Sequence, residues 1–137
     1  MKLSTRGRYA LSAMVFLASQ SDMGPQTLAT IARDTMPAQY LEQLLGQLRR
    51  NGLVTTVRGA QGGYAIARPP EEITVANILE ATEGPVQMSA CDGEENACPQ
   101  SGSCCTQNAF SYLEENINRL MHSITLSDII SNVPFNS

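Results

Sequence analysis

The sequence predicts a mainly α-helical fold with one small β-hairpin. In the first half, apolar residues recur at helical spacing in three stretches, and two β-rich runs around a glycine-rich tip follow them. Nearer the carboxyl end lies a longer amphipathic stretch, whose apolar residues also recur at helical spacing. This order of elements indicates a winged helix-turn-helix domain followed by a long C-terminal helix.

The first two helices are indicated by apolar spacing and by the break between them. In residues 5–20 an apolar residue recurs every three or four positions, and Arg6 and Arg8 lie in the first turn. A break near Gly24 separates this helix from a short second one that carries Leu28, Ile31 and Ala32. The pair provides the support on which a third helix can pack.

The third helix is the candidate recognition helix. Pro37 suits its first turn, where a missing N–H is tolerated, and Asn51-Gly52 ends it. One side is an apolar stripe, and the other carries amide, carboxylate and guanidinium groups that can contact base edges or phosphate. A solvated surface helix would have a similar composition. The stripe is Leu41, Leu44, Leu45 and Leu48, and the polar side is Gln39, Tyr40, Glu42, Gln43, Gln47, Arg49 and Arg50.

Two β-rich runs form the predicted hairpin, or wing. They cover residues 53–58 and 64–68, and the tip between them is Gly-Ala-Gln-Gly-Gly. Arg58 adjoins this tip, from which it can reach a minor groove or a phosphate. The tip does not match the phosphate-binding pattern G-x-x-x-x-G-K-[ST], and no helix follows it at once, so a nucleotide site is not expected.

The second half contains a short helix and a longer one. Thr74 caps the short helix, which Gly84-Pro85 ends. The longer helix, at about residues 106–123, has an apolar stripe that needs a partner and is the candidate dimer interface. We therefore expect a winged helix-turn-helix domain at residues 1–70 and a cysteine-loop and dimerisation region at residues 71–137. The stripe consists of Phe110, Leu113, Ile117, Leu120 and Met121.

Charge is divided unequally along the chain. Residues 1–68 carry eight Lys/Arg and three Asp/Glu, whereas residues 69–137 carry one Lys/Arg and ten Asp/Glu, which gives a net charge of -4. A local positive field attracts the DNA backbone whatever the total charge of the protein. The basic half therefore favours a nucleic-acid partner, although an unevenly charged solvated surface would give the same counts.

All four cysteines lie within fifteen residues, at Cys91, Cys98, Cys104 and Cys105. Thiolates are ligands for iron and zinc, and a loop with several of them can wrap a metal. Disulfides are less expected, because the amino terminus has no apolar signal-peptide core and no stretch is long enough to span a membrane. We expect a cytoplasmic protein with reduced thiols and a metal site, with thiol redox chemistry as the alternative.

The sequence does not favour an enzyme. The only histidine, His122, lies at the margin of the long helix's apolar stripe, and no Ser/His/Asp or paired-carboxylate arrangement has a clear scaffold. A small electron carrier would leave the basic helix-turn-helix without a purpose. The residues favour a DNA-binding regulator with a metal or redox sensor.

Four segments occur in a characteristic order. They are LSTRGRYA at residues 3–10, YLEQL at 40–44, NGLV at 51–54 and VRGAQGGY at 57–64. With the cysteine loop that follows, they closely resemble IscR-type iron–sulfur cluster regulators over about residues 1–130. That family, which also includes the nitric-oxide sensor NsrR and the cysteine-metabolism regulator CymR, consists of dimeric winged-helix transcription factors.

The resemblance implies a cofactor and its ligands. The IscR branch carries a 2Fe-2S cluster, whose occupancy alters operator binding, and controls genes for cluster assembly. By position, the three cysteine ligands of that branch fall on Cys91, Cys98 and Cys104. Its fourth ligand, a histidine three residues after the third cysteine, is replaced here by Gln107. Cys105 is the nearest soft ligand for this fourth place, and an outside thiol or water is the alternative.

The resemblance also implies which residues contact DNA. The acidic residue that tunes operator choice falls on Glu42, and the wing arginine falls on Arg58. We expect a homodimeric regulator that binds a two-fold symmetric double-stranded DNA operator under the control of an iron–sulfur cluster. The alternative is a thiol-redox, zinc-binding or protein-partner-sensing regulator without a cluster. The candidate DNA-binding residues are Lys2, Arg6, Arg8, Gln39, Tyr40, Glu42, Gln43, Gln47, Arg50, Arg58, Gly59, Gln61 and Gly62.

Overall fold

A computed structural model describes residues 4–33, 35–60, 62–84 and 105–131, and at Cys105 it describes the backbone alone. Within these ranges lie six α-helices, one two-stranded antiparallel sheet and two short 3₁₀ turns, which confirms the predicted mainly α fold with a hairpin. The elements are α1 Thr5–Ser19, α2 Leu28–Ala32, α3 Ala38–Arg50, β1 Val54–Val57, β2 Gly63–Ile66, α4 Val75–Glu83, α5 Cys105–Ser123 and α6 Leu126–Ile130, with 3₁₀ turns at Ser21–Met23 and Pro70–Glu72.

Helices α2 and α3 form the helix-turn-helix. The Thr27 hydroxyl caps α2 by accepting a hydrogen bond from the Thr30 N–H at 3.2 Å. Arg33 ends α2 in the left-handed conformation, with φ 45°, and so turns the chain toward α3. Pro37 is the N-cap of α3 and not its first helical residue, because its ψ of 135° is extended. Its carbonyl accepts the first helical hydrogen bond, from the Leu41 N–H at 3.0 Å.

The wing is tied directly to the helix-turn-helix. Strands β1 and β2 pair antiparallel with Val57 opposite Gly63, and each is shorter than the β-rich run that predicted it. The Gln26 N–H donates to the Tyr64 carbonyl, and the Tyr64 N–H donates to the Gln26 carbonyl, both at 2.8 Å. At Gly63 the φ of 155° and the nearby Gln26 backbone leave no room for a Cβ. Glycine here allows the hairpin to lie against the start of α2.

Helix α1 lies at the centre of the core and contacts α2, α3, α4 and α6. Met14 and Leu17 of α1 belong to one cluster of buried side chains with Leu45 of α3. Ile78 and Leu126, from the acidic half of the chain, belong to the same cluster. The two oppositely charged halves therefore share one core.

Helix α6 lies in a stretch for which the sequence predicts no element. The Thr125 hydroxyl accepts from the Asp128 N–H at 3.1 Å, and the Asp128 carboxylate accepts from the Thr125 N–H at 3.0 Å, which makes a capping box. Leu126 is fully buried, and its N–H donates to the Ile73 carbonyl at 2.9 Å. Five residues are too few for apolar periodicity to be detected, whereas the T-x-x-D capping pattern is a usable signal.

Helix α5 packs against α4 and leaves much of its apolar surface exposed. None of the residues 106–123 is fully buried. Tyr112 is 69% exposed, Leu120 63% and Leu113 45%. A run of large apolar side chains in water is characteristic of a protein interaction surface. No helix in the part of the chain that the structure describes is both long enough and apolar enough to cross a bilayer.

Candidate nucleic-acid interface

One face of α3 forms the floor of an open groove. Leu41, Leu45 and Leu48 are fully buried on the opposite face, so the polar side of the helix points outward. Glu42 and Gln43 are exposed on that polar side. We call the concavity of about 650 Å³ above it the recognition groove. Its lining residues are Arg6, Gln39, Tyr40, Glu42, Gln43, Leu44, Gly46, Gln47 and Arg50.

The recognition groove brings a residue of α1 beside α3. The Arg6 guanidinium donates from Nη1 to the Thr82 carbonyl at 3.3 Å. One turn further along α1, the Tyr9 ring meets the Tyr40 ring edge to face, with centroids 5.7 Å apart and an interplanar angle of 76°. Such pairs contribute about 0.5–1.5 kcal/mol beyond their burial. The first contact ties the Arg6 guanidinium to the end of α4, and the second holds α1 against α3.

The groups in the recognition groove are those that contact DNA in helix-turn-helix proteins. A glutamine amide can pair with adenine, a carboxylate can accept from the cytosine amino group, and a guanidinium can contact guanine or phosphate. Arg50 lies in the last turn of α3, and Arg6 lies on α1. The arrangement can therefore present base-contacting groups on α3 between two cations suited to phosphate.

The wing carries a second group of the predicted residues. Arg58 and Gly59 are exposed, and Gly59 has φ 114°, which favours glycine. A Cβ at Gly62 would lie 2.9 Å from the Val57 carbonyl carbon, so the tip closes tightly at this point. Within the described residues the Arg58 guanidinium makes no hydrogen bond or ion pair. It is therefore available to an anionic partner.

Three predicted DNA-binding residues are not placed in the recognition groove or on the wing. Arg8 lines a separate groove on α1, because residues two apart on a helix do not share a face. This second groove also contains Arg33, whose guanidinium lies 4.5 Å from the centroid of the Phe16 ring. DNA contact by Arg8 stays a prediction. Lys2 and Gln61 lie outside the described residues.

Two contributors to the recognition groove were not identified from the sequence. Gly46 lies in the middle of α3, where a Cβ would meet only Arg50 Nη1, at 3.5 Å. A glycine inside a helix destabilises it by about 0.5–1 kcal/mol relative to alanine, and it allows a ligand to approach the backbone closely. The interrupted helical pattern is the signal that could have found it. Thr82 is brought to Arg6 by tertiary packing, for which the sequence carries no signal.

The predicted metal ligands lie almost entirely outside the described residues. This is the case for Cys91, Cys98 and Cys104, and only the backbone of Cys105 is described, as the first residue of α5. Gln107 lies on α5, and its side-chain amide donates to the hydroxyl one turn further along the helix at 3.4 Å. Among residues 4–33, 35–60, 62–84 and 105–131, no three His, Cys, Asp or Glu side chains come together as a metal site.

The chain is similar to known transcriptional regulators over nearly its whole length. The model of the Rrf2 family, described as an iron-dependent transcriptional regulator, matches residues 3–132. The HTH-type transcriptional regulator IscR of Serratia proteamaculans is 38% identical over 133 residues, which cover 96% of this chain and 80% of that protein. These relatives are named as regulators and not as enzymes, in agreement with the prediction.

Solved structures give the same result. CymR (YrzC), the global cysteine regulator of B. subtilis, superposes with a TM-score of 0.81 at 34% identity, covering 98% of this chain and 99% of that one. IscR from T. potens superposes with a TM-score of 0.78 at 34% identity, covering 99% and 94%. The resemblance inferred from the sequence is thereby confirmed. The chain belongs to the Rrf2 family of helix-turn-helix transcriptional regulators.

Proposed function

We propose that this chain acts as a homodimer that binds a two-fold symmetric operator and changes its binding with the state of an iron–sulfur cluster. Each protomer would place α3 in a major groove, with Arg6 beside it and Arg58 of the wing against the neighbouring backbone. The observation that carries this proposal is the recognition groove, which gathers amide, carboxylate and guanidinium groups of α1 and α3 on one exposed face.

The dimer part of the proposal is supported by α5. A second copy packed on Tyr112, Leu113 and Leu120 would remove this apolar surface from water, which stabilises by about 25 cal/mol per Å². Two-fold dimers of helix-turn-helix proteins bind half-sites about 34 Å apart on one side of the DNA. The Leu120→Glu variant should therefore be a monomer in analytical ultracentrifugation and should not bind tightly to a duplex with two half-sites.

The donor set is chemically suited to an iron–sulfur cluster in three of four places. Cys91, Cys98 and Cys104 would supply thiolates, the ligands that such clusters prefer, and the bound cluster would supply sensitivity to iron and oxidants. The carboxamide of Gln107 is a weak ligand by comparison, so we assign the fourth place to Cys105 or to an outside thiol. If water fills the fourth place instead, the incomplete thiolate shell would make the cluster labile, which suits a sensor. By similarity to IscR proteins, genes for cluster assembly are the proposed targets.

Anaerobic absorption spectroscopy with iron and sulfide analysis tests the cluster. We expect visible absorption with matched iron and sulfide in the freshly purified protein, and loss of both in Cys91→Ala, Cys98→Ala and Cys104→Ala. Cys105→Ala decides the fourth ligand. Gln107→His, which restores the histidine of the IscR pattern, should slow the loss of iron to a chelator. A colourless, iron-free protein that cannot be reconstituted would contradict the cluster and leave the DNA-binding proposal standing.

The regulatory part needs a separate measurement. Duplexes selected by the protein from a random-sequence library supply operators, and the affinities of apo and reconstituted dimers for several of them can then be compared at one salt concentration. We expect at least one duplex on which the two forms differ by about tenfold, since allosteric coupling is typically 5–150-fold. Equal affinities on all of them would contradict control by the cluster.

The second candidate function is a thiol-based or partner-sensing regulator without a cluster. It is favoured by the similarity to CymR of B. subtilis, described as a global cysteine regulator, which superposes at least as well as IscR of T. potens. The replacement of the family histidine by Gln107 is also in its favour. In that case DNA affinity should change on mild oxidation or on addition of a protein partner, with no visible chromophore.

A further inference from the structure

We infer that Glu83 is a positioning residue of the recognition groove that acts by holding Arg6; this inference rests on the proposed contact of that groove with DNA. Glu83 is the last residue of α4, yet its carboxylate lies at the amino terminus of α1. There it contacts Ser4 and Gly7. We call these three residues the α1–α4 clamp.

The clamp binds two of the four backbone N–H groups that have no helical partner at the start of α1, those of Ser4 and Gly7, the second of which is shared with the Ser4 hydroxyl. Glu83 Oε1 accepts hydrogen bonds from the Ser4 N–H at 3.0 Å, from the Gly7 N–H at 3.2 Å and from the Ser4 hydroxyl. In a capping box, the residue three positions after the N-cap supplies the side chain that accepts the N-cap N–H. Ser4 is the N-cap and Gly7 occupies that third position, where it has no side chain to offer. Glu83 therefore performs this role from another helix.

The same end of α4 also holds the guanidinium that enters the recognition groove. Arg6 lies between the two clamped residues, Ser4 and Gly7, and donates to the carbonyl of Thr82, the neighbour of Glu83. A smaller groove adjoining the recognition groove is lined by Ser4, Thr5, Arg6, Tyr40 and Glu83. The end of α4 thus fixes both the backbone and the side chain of the turn that faces α3.

Positioning and simple electrostatics predict opposite results when Glu83 is removed. Glu83 is exposed beside the groove, so loss of its negative charge should strengthen binding to the DNA polyanion through the field alone. If Glu83 holds the first turn of α1, its loss releases Arg6 and weakens binding. The direction of the change in affinity therefore distinguishes the two effects.

The test compares variants of the full chain on a duplex that the wild-type protein selects from a random-sequence library, over a range of salt concentrations. We expect Glu83→Ala to weaken binding by about tenfold and to reduce the salt slope by about 0.9, as the loss of one phosphate contact does. Glu83→Gln keeps an acceptor oxygen without the charge, so its affinity for the duplex should lie between those of the wild type and Glu83→Ala. The control is Glu71→Ala, which removes the same charge from an exposed position in the 3₁₀ turn and should bind no more weakly than wild type.

A double variant separates positioning from general destabilisation. Arg6→Ala/Glu83→Ala should bind within about twofold of Arg6→Ala, because Glu83 then has no guanidinium to place. If Glu83→Ala does not fold, Glu83→Gln takes its place in the comparison with Arg6→Ala. Ser4→Ala is unsuitable, because the Ser4 hydroxyl also accepts from the Gly7 N–H at 3.4 Å and its removal would uncap α1 independently of Glu83. Two results would overturn the positioning role of Glu83 and leave the groove assignment intact. One is a double variant whose loss of affinity is the product of the losses in the two single variants. The other is wild-type affinity in Glu83→Ala. Wild-type affinity and salt slope in Arg6→Ala would overturn the groove assignment, and the clamp with it.

Discussion

Replacing Gly63 by alanine should destabilise the protein and detach the wing from the helix-turn-helix. With φ 155° at this residue, a Cβ would lie 2.6 Å from the Gln26 carbonyl carbon and 3.1 Å from the Thr27 nitrogen. Both atoms belong to the backbone, so no side-chain movement relieves the clash. The segment around Gly63 must therefore move away from the segment around Gln26, which breaks the pair of 2.8 Å hydrogen bonds between Gln26 and Tyr64.

The expected loss follows from these contacts. Two hydrogen bonds contribute about 1 kcal/mol each, and an L residue forced into positive φ adds about 1–2 kcal/mol. The free energy of unfolding should therefore fall by about 3–4 kcal/mol, a large part of the usual 5–15 kcal/mol. Urea denaturation at fixed protein concentration, followed by circular dichroism, measures it. Affinity for DNA should fall as well, because Arg58 is carried on the detached wing.

Gly52→Ala is the matched control for this prediction. Gly52 also has positive φ, 76°, but a Cβ there meets no atom within 4 Å. Its replacement should cause only the backbone strain, about 1–2 kcal/mol. A Gly63→Ala variant no less stable than Gly52→Ala would refute the reasoning, since the contact with the start of α2 would then contribute nothing to holding the wing.

Three further predictions concern the wing, the recognition helix and the shared core. Arg58→Ala should weaken binding about equally on all duplexes and should lower the slope of log affinity against log salt concentration by about 1. Titrations in increasing salt measure both, and a change confined to one sequence would contradict a phosphate contact. Glu42→Ala should alter preference at one base pair by about 1–3 kcal/mol, measured by repeating the library selection, and an unchanged consensus would remove Glu42 from base recognition. Leu126→Ala should lower the free energy of unfolding by about 2–5 kcal/mol, because this side chain is fully buried, whereas a loss below about 1 kcal/mol would show that α6 is not part of the core.

The elements that could be predicted are those with local signals. Helix α3 has an apolar repeat over about two turns and an Asn51-Gly52 stop, and in the structure Asn51 is its C-cap while Gly52 has φ 76°. Helix α4 is capped by Thr74 as predicted, with a complete capping box. Helix α6 could not be predicted from periodicity, since burial of Leu126 depends on the Ile73 backbone far away in the sequence.

In the candidate site, too, some residues could be predicted from local sequence signals and others could not. The polar face of α3 was predictable because the leucine stripe determines which side faces solvent. The choice between Arg6 and Arg8 was not, because it depends on how α1 is rotated about its axis in the core. Glu83 carried no signal at all, since its partners Ser4 and Gly7 come close only after α4 has packed on α1. Local pattern predicts an element's faces, and tertiary packing decides what meets them.

The division of charge along the chain does not coincide with a division of the core. Helix α4, from the acidic half, is joined at its start to the segment before α6, where the Val75 N–H donates to the Ile124 carbonyl at 2.9 Å. At its other end it is clamped to α1 through Glu83. The cysteine-bearing segment follows α4 directly and leads into α5. A cluster on the proposed cysteines would therefore act on the described fold at two points, the clamp that holds Arg6 and the start of the proposed dimer helix. Under the proposed function, a change at the first point would alter the orientation of Arg6. A change at the second point would alter the distance between the two recognition helices of the dimer.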